Sequence, residues 1–476
     1  MHIEIAKALL VPGWTARGRR RALAATLLVA GVVAPLLMVF YVVFTNRSRV
    51  ALSLDSSFLA NVMLVGAAAV LARLVAVVEV WVADGRRTVF DRVEVIAVSA
   101  AATALIAGSF AVIEVGRARA SIAPAFSSTD GEVLFDASAP VATTTSTTTA
   151  TTGPPSTTEP DHDDRPASTT TTTTTTTTTV SPYPARPDSG VDGAALADVV
   201  TVLLLGGDAG PGRGGLRTDS MMLFSLHRPS GRASLISVPR NLEHLLFPPG
   251  SPLAAEHPYG YDGIANAVYP DVSAHDDLRD AYEVEGIRPG VVAIAQGIGY
   301  SLDVTIHDYV LVDMQGFLDL VDALGGVTLR LSSAVPMPGN VPGARTQYPD
   351  VIGPGVVVMD GSTALGYARS RKGDSDYRRA QRQRALLAAL AQQVSLRDVA
   401  LSIGDIAAAI GGTLRTSLTP DELADTLNVI GGETAIVESV GLVPPLVDVR
   451  QPDYDAMAKV VGAVQMALVT GDPSGY

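Results

Sequence analysis

The stretch Val199-Val200-Thr201-Val202-Leu203-Leu204-Leu205-Gly206-Gly207-Asp208 decides the reading of the chain. Residues 199–205 form an almost continuous apolar run of strand length, as a strand buried on both faces would. Gly206-Gly207-Asp208 ends it. Residues 220–227 give a second strand, Pro229-Ser230-Gly231 a turn, and residues 233–238 a third strand that pairs back as a hairpin. Farther on, 288–302 reads as a helix and 304–312 as a strand. An amphipathic helix follows at 315–324, stopped by Gly325-Gly326, and then a strand at 327–331. Helices are expected at 360–368 and 377–394, and the valine-rich segment 434–449 completes the same unit. This order predicts a mixed α/β (α+β) domain over residues 196–476, a central sheet flanked by helices.

Upstream of that domain the chain changes character. Residues 121–195 are low in complexity, with scattered prolines and an unbroken threonine run at 169–179. Such a segment buries too little apolar surface to offset its ordering entropy, and it reads as a disordered Thr/Ser/Pro-rich linker open to O-glycosylation. Its patch Asp161-His162-Asp163-Asp164 reads as solvated acid rather than a metal site.

Three apolar stretches precede the linker, at 22–44, 58–82 and 93–115. Each is long enough for the ~20 helical residues that cross a bilayer core, and residues 22–120 read as a three-helix transmembrane anchor. Lys7, Arg17, Arg19, Arg20 and Arg21 make 1–21 a basic cytoplasmic tail, and Arg86, Arg87 and Arg92 put the second loop on the same side. Three crossings then place everything after residue 120 outside: a multi-pass protein of the cytoplasmic membrane with an extracellular domain. Arg73 and Glu79 fall within the second stretch and suit a bundle interior.

The chain has 476 residues, no cysteine and a net charge of −13. Disulfides, thiol nucleophiles and cysteine-ligated metals are excluded, and the acidity argues against nucleic-acid binding. The charge is split. Residues 1–120 hold 13 Lys+Arg and 7 Asp+Glu; by subtraction from 35 and 48, the remainder holds 22 and 41. Within that acidic exterior, residues 369–384 carry seven basic side chains.

Arg379, Gln383, Leu387, Leu390 and Val394 fall on one stripe of a 3.6-residue helix, so Arg379 and Gln383 point with the core leucines. A core-facing arginine needs an anionic partner. Near a helix start, with arginine's planar fork, a phosphate fits; an internal salt bridge to Asp374 or Asp376 is the alternative. Asp208 ends the first strand and Asp219 begins the second. Neighbouring strands can bring both carboxylates to one sheet rim, a pattern suited to Mg²⁺ bridging a diphosphate; a helix cap and a turn aspartate are the alternative. Gly210, Gly212 and Gly215 match GxGxxG, but the following element reads as a strand, so a dinucleotide site is not expected. His307 reads as a core or rim histidine.

Several motifs occur in order: Leu205-Gly206-Gly207-Asp208, Arg217-Thr218-Asp219-Ser220, Ser237-Val238-Pro239-Arg240, Asn266-Ala267, Asp308-Tyr309 through Gly325-Gly326-Val327, Tyr367-Ala368-Arg369-Ser370-Arg371-Lys372, and Asp376-Tyr377-Arg378-Arg379-Ala380-Gln381-Arg382-Gln383. With them the chain resembles the LytR–CpsA–Psr family of cell-envelope phosphotransferases. The resemblance implies transfer of a glycopolymer from a polyprenyl-pyrophosphate carrier to peptidoglycan, with an apolar groove for the lipid. It implies Mg²⁺ held by Asp208 and Asp219, and a pyrophosphate clamp of Arg217, Arg240, Arg369, Arg371, Arg379 and Gln383. Arg240 and Asp219 are the expected catalytic residues. Three features depart from the family pattern: Asn241 where an aspartate is usual, Asp262-Gly263 where a lysine is usual, and three apolar stretches rather than one. The first two leave open a lipid-pyrophosphate sensor without turnover; pyrophosphate hydrolysis is a third reading.

Overall fold

In the computed structural model the described residues are 133–138, 183–208, 216–339, 344, 346–393, 413–419, 422–423, 426 and 436–475, with Val33 and Val65 singly. Apart from those two residues, the three apolar stretches and the threonine run lie outside them. Among the described residues no helix is long and apolar enough to cross a membrane.

In chain order the strands are β1 (Val199–Gly207), β2 (Thr218–His227), β3 (Arg232–Val238), β4 (Asp308–Asp313), β5 (Val327–Leu331), β6 (Val335–Pro336), β7 (Val351–Ile352), β8 (Gly355–Met359), β9 (Leu414–Thr416) and β10 (Ile436–Gly441). The α-helices are α1 (Pro252–Glu256), α2 (Val268–Ala274), α3 (Asp276–Ala281), α4 (Pro289–Leu302), α5 (Met314–Ala323), α6 (Gly361–Arg369), α7 (Asp376–Gln393) and α8 (Tyr454–Thr470). The central sheet has six strands in the order β10-β3-β2-β1-β4-β9. β2–β3 is the expected hairpin and β1 joins it antiparallel to β2, whereas β4 pairs β1 in parallel and β10 pairs β3 in parallel. The expected strand at 304–312 is shorter: β4 starts at Asp308, after residues Val304 and Ile306 have turned into the core. The short helices between β3 and α4 and the long helix α8 were not individually expected.

The two sheet faces differ, and the pleat explains how. On one face Leu203, Leu205, Met221, Leu223, Ile236 and Val238 join Ile294 and Ile298 of α4 and Met457, Val461 and Val464 of α8 in the main core. Side chains alternate between faces along a strand. The other face is therefore supplied by Leu204, its partners Met222 and Val310, and Val312 next along β4. Helices α5, α6 and α7 cover this second face only in part, and β5 with β8 forms a small outer layer against α7 and α6. Asp313 and Asp360 set the starts of α5 and α6, accepting from the amides of Gly316 and Thr363 at 2.8 Å each.

The linker reading needs correcting at two places. Within 121–195, residues 133–138 and 183–195 pack on the domain, and the partly buried Leu134, Phe135 and Tyr183 rest against the main core. Each carries an aromatic or aliphatic side chain that the polar average of the segment conceals.

Candidate active site

At the C-terminal end of β1 the chain meets β2 through a bulge: Gly206 faces Ser220 and Gly207 faces Thr218. A Cβ on Gly206 would lie 2.9 Å from the Ser220 Cβ, so glycine lets the two strand ends close up. The Asp208 amide donates to the Arg217 carbonyl at 2.8 Å, which fixes Asp208 beside the start of β2.

Asp219 lies at the centre of the site. Its Oδ1 receives Arg240 Nη1 at 2.7 Å and Asn266 Nδ2 at 3.0 Å, and its carbonyl receives Arg379 Nη2 at 3.2 Å. Arg240 comes from the end of β3, and the Asn266 amide bonds the Arg240 carbonyl at 3.0 Å, so each positions the other. Asp376, the first residue of α7, gathers three guanidinium groups: Arg371 Nε at 3.2 Å, Arg240 Nη2 at 3.3 Å and Arg379 Nη1 at 3.5 Å. Nearby, Arg369 Nη1 pairs with Asp208 Oδ1 at 2.8 Å. Ser220 donates its hydroxyl to Gln383 Oε1 at 3.1 Å.

These contacts set the charge state. Burial pushes the Asp219 carboxyl up. The Arg240 hydrogen bond and charge, the Arg379 charge and the Asn266 amide outweigh it, and the group lies below the usual aspartate range. Arg379 is 6% exposed. Burial, and then the like charge of Arg240, bring its guanidinium down to about 10. The buried Nε atoms of Arg240 and Arg379 have no hydrogen-bond partner among the described residues. Buried donors left unsatisfied are costly, and an anion with several oxygens would satisfy them.

An apolar groove of about 290 Å³ opens from this cluster. Its floor is Leu204, Met222, Val310 and Val312; its walls include Phe317 of α5, Leu365 of α6 and Leu387 of α7. Asp208, Asp219, Arg369 and Gln383 line its charged end. On the far side of Asp219, Ser220 and Gln383 lies a small pocket bordered by Arg240, Asn241, Asp376, Tyr377 and Arg379.

Of the residues expected from sequence, Asp219, Arg240, Arg371, Arg379 and Gln383 thus meet around Asp376 and Ser220, with Asp208 and Arg369 beside them. Arg217 is exposed and makes no side-chain contact with the cluster among the described residues. The internal salt bridge weighed as the alternative for Arg379 is present, to Asp376, while Asp374 takes Arg382. Asn266 was quoted only as part of a motif, and its hold on Asp219 is not visible without the fold. The Arg240 guanidinium is held at both ends, by Asp219 and by Asp376.

The profile described as the LytR_cpsA_psr family matches residues 166–443. The chain belongs to the LytR–CpsA–Psr family. Among curated relatives, a protein of Bacillus cereus (strain AH820) named polyisoprenyl-teichoic acid–peptidoglycan teichoic acid transferase TagU is 28% identical over 232 residues, 48% of this chain and 64% of that protein. The protein of the same name from Oceanobacillus iheyensis is 27% identical over 237 residues, 49% of this chain and 64% of its own length. The match thus spans a little under two thirds of these relatives. The crystal structure of B. subtilis TagV aligns with 20% identity over 57% of this chain and 97% of its own, at a TM-score of 0.42.

Proposed function

We propose that this LytR–CpsA–Psr protein transfers a glycopolymer from a polyprenyl-pyrophosphate carrier to peptidoglycan, forming a phosphodiester, from the outer face of the cytoplasmic membrane. The observation that carries the reading is the junction at Asp219. There an apolar groove suited to a prenyl chain meets an arginine cluster whose buried Arg240 and Arg379 Nε donors are unsatisfied. The names of the relatives, transferases between polyisoprenyl-teichoic acid and peptidoglycan, support the same reading.

With the lipid in the groove, the diphosphate falls among Arg240, Arg371 and Arg379, and the glycan extends outward from them past Asn241 and Tyr377. The acceptor hydroxyl oxygen attacks the glycan-side phosphorus. A new P–O bond forms, the bond to the bridging oxygen breaks, and the lipid leaves as its monophosphate. The hydroxyl proton passes to water or to the released phosphate. The fixed guanidinium groups stabilise negative charge on the phosphoryl oxygens, the main contribution a protein makes to phosphoryl transfer. The low pKa of Asp219 suits it to holding cations rather than to taking up that proton.

Among the described residues no three acidic or histidine side chains converge on a metal position. Mg²⁺ is commonly held by one or two carboxylates together with substrate phosphates, and Asp208 and Asp219, both at the charged end of the groove, fit that donor set. Bound there, Mg²⁺ would neutralise diphosphate charge.

The test uses the full-length protein with a lipid-pyrophosphate-linked glycan, peptidoglycan oligomers and Mg²⁺. Linked product should form, should disappear with EDTA, and should fall at least a hundredfold in Arg240→Ala. Unchanged rates in Arg240→Ala and Asp219→Ala sink the transferase reading; carrier binding without product supports a sensor, and free phosphorylated glycan without acceptor supports a hydrolase.

A further inference from the structure

We propose that residues 133–138 form a strap tying the membrane anchor to the pole of the sheet where β1 begins. That pole then faces the bilayer and the arginine cluster faces away from it. The proposal rests on the reading of residues 22–115 as membrane spans.

The strap is a built contact. The Phe135 amide donates to the Ile306 carbonyl at 3.0 Å, and the Ile306 amide returns a bond to the Phe135 carbonyl at 2.9 Å. Next along, the Ala137 amide donates to Thr305 Oγ1 at 3.0 Å. The Phe135 ring rests on bare backbone at Gly299, where a Cβ would lie 2.2 Å from its Cδ1. Arg186 places its guanidinium 5.8 Å from the centroids of both Phe135 and Tyr300 and pairs with Asp303 at 2.7 Å. Asp303, in the left-handed conformation that ends α4, also accepts from the Ser189 amide at 2.9 Å and hydroxyl at 2.7 Å.

These contacts determine how the chain is strung. It reaches the pole by residue 133, leaves at 138, and is back on the same pole by 183–193, where a Cβ on Gly193 would lie 4.0 Å from the Ser138 Cβ. The threonine-rich excursion therefore starts and ends at one place and adds nothing to the separation between anchor and domain. Only residues 116–132 span that gap, a reach of at most about 60 Å at ~3.5 Å per residue.

Strand direction does the rest. His307 and Asp308 lie beside Thr201 and Val202, near the start of β1, while Asp208 follows its end. Nine residues at ~3.3 Å each put the poles about 30 Å apart. Leu204 and Val310 precede Gly206 and Val312 on the way to Asp208, so a lipid chain rising from the bilayer meets apolar floor before it meets arginine.

The chain has no cysteine, so single labels are clean. Ala195 and Lys372 are exposed at the two poles. Full-length Ala195→Cys and Lys372→Cys, labelled with a donor and reconstituted into vesicles carrying an acceptor lipid, should show stronger energy transfer from position 195. The heights should differ by about 30 Å. Deleting residues 143–179 should leave both efficiencies unchanged, and the Phe135 amide should exchange as slowly as that of Ile306. Equal or reversed efficiencies, a deletion that draws the domain toward the vesicle, or open-chain exchange at Phe135 each overturn the proposal. Protein that fails to float with vesicles overturns the span reading and the proposal together, a result recognisable before any transfer is measured.

Discussion

Asp376 and Arg379 lie one turn apart on α7, with Arg379 Nη1 3.5 Å from Asp376 Oδ1, and that one carboxylate also faces Arg240 and Arg371. Three cations converge on one anion. The arrangement holds the guanidinium groups in place while leaving them short of negative charge. Asp376→Asn removes the shared partner. Breaking a partly buried pair of this kind should cost about 1–3 kcal/mol in urea unfolding. It should also lower kcat/KM for the lipid-linked donor roughly tenfold to a hundredfold through misplaced arginines.

Arg379 gives a second, opposite signature. Its guanidinium is held down to about 10, so the unfolded chain binds its proton more strongly than the folded one does. The penalty is present in full below pH 10 and is relieved as pH rises above it. Arg379→Met should therefore leave thermal stability at pH 7 within about 1 kcal/mol of the parent or raise it, while transfer falls at least a hundredfold. Inorganic pyrophosphate should raise the Tm of the parent and not that of the variant. A variant that is both strongly destabilised and still pyrophosphate-responsive contradicts this account.

Asp219 sets the acid limb. Its carboxyl is held below the ordinary value, so its contribution to stability is complete above the unfolded pKa of about 3.9 and is lost as pH falls through the lower folded value. Unfolding free energies measured from pH 6 to pH 2.5 should fall more steeply in the parent than in Asp219→Asn. Parallel curves would show that its arginine contacts do not lower its pKa.

The groove predicts a split between substrates. Leu204 is half-buried on the groove floor, opposite Met222 and Val310. Leu204→Trp should fill the floor with a stability change of about 1 kcal/mol or less. KM should rise for a long-chain carrier and stay unchanged for a short, water-soluble analogue. An equal effect on both would remove the groove from the lipid's path.

Much of the sheet was legible because its strands carry their own pattern. The apolar run before Asp208 and the hairpin at Pro229-Ser230-Gly231 match β1, β2 and β3 to within two residues. Arg379 and Gln383 were legible for a similar reason, since helical periodicity placed them with the core leucines. Arg382 and Arg384 were not: they are buried too, and Arg384 spends its donors on Ser237 and Ser439 across β3 and β10. A helix buried on more than one side has no single stripe to read. Asp376 could be named only as one of two partners, because the choice depends on where the loop after Arg369 turns. Phe135 escaped notice altogether. Its binding surface, the bare backbone of Gly299, lies more than 160 residues away, and nothing in a threonine-rich neighbourhood signals it.

The half-covered face of the sheet has a practical corollary. A trench floored by leucine, methionine and valine offers any amphiphile in the tube a berth. Protein purified in detergent is expected to carry a detergent tail or a stray acyl chain there. Affinities measured on such material are exchange constants against that occupant, and they will drift with the choice of detergent and with every wash. Delipidated protein, by the same token, should be the form most prone to clump.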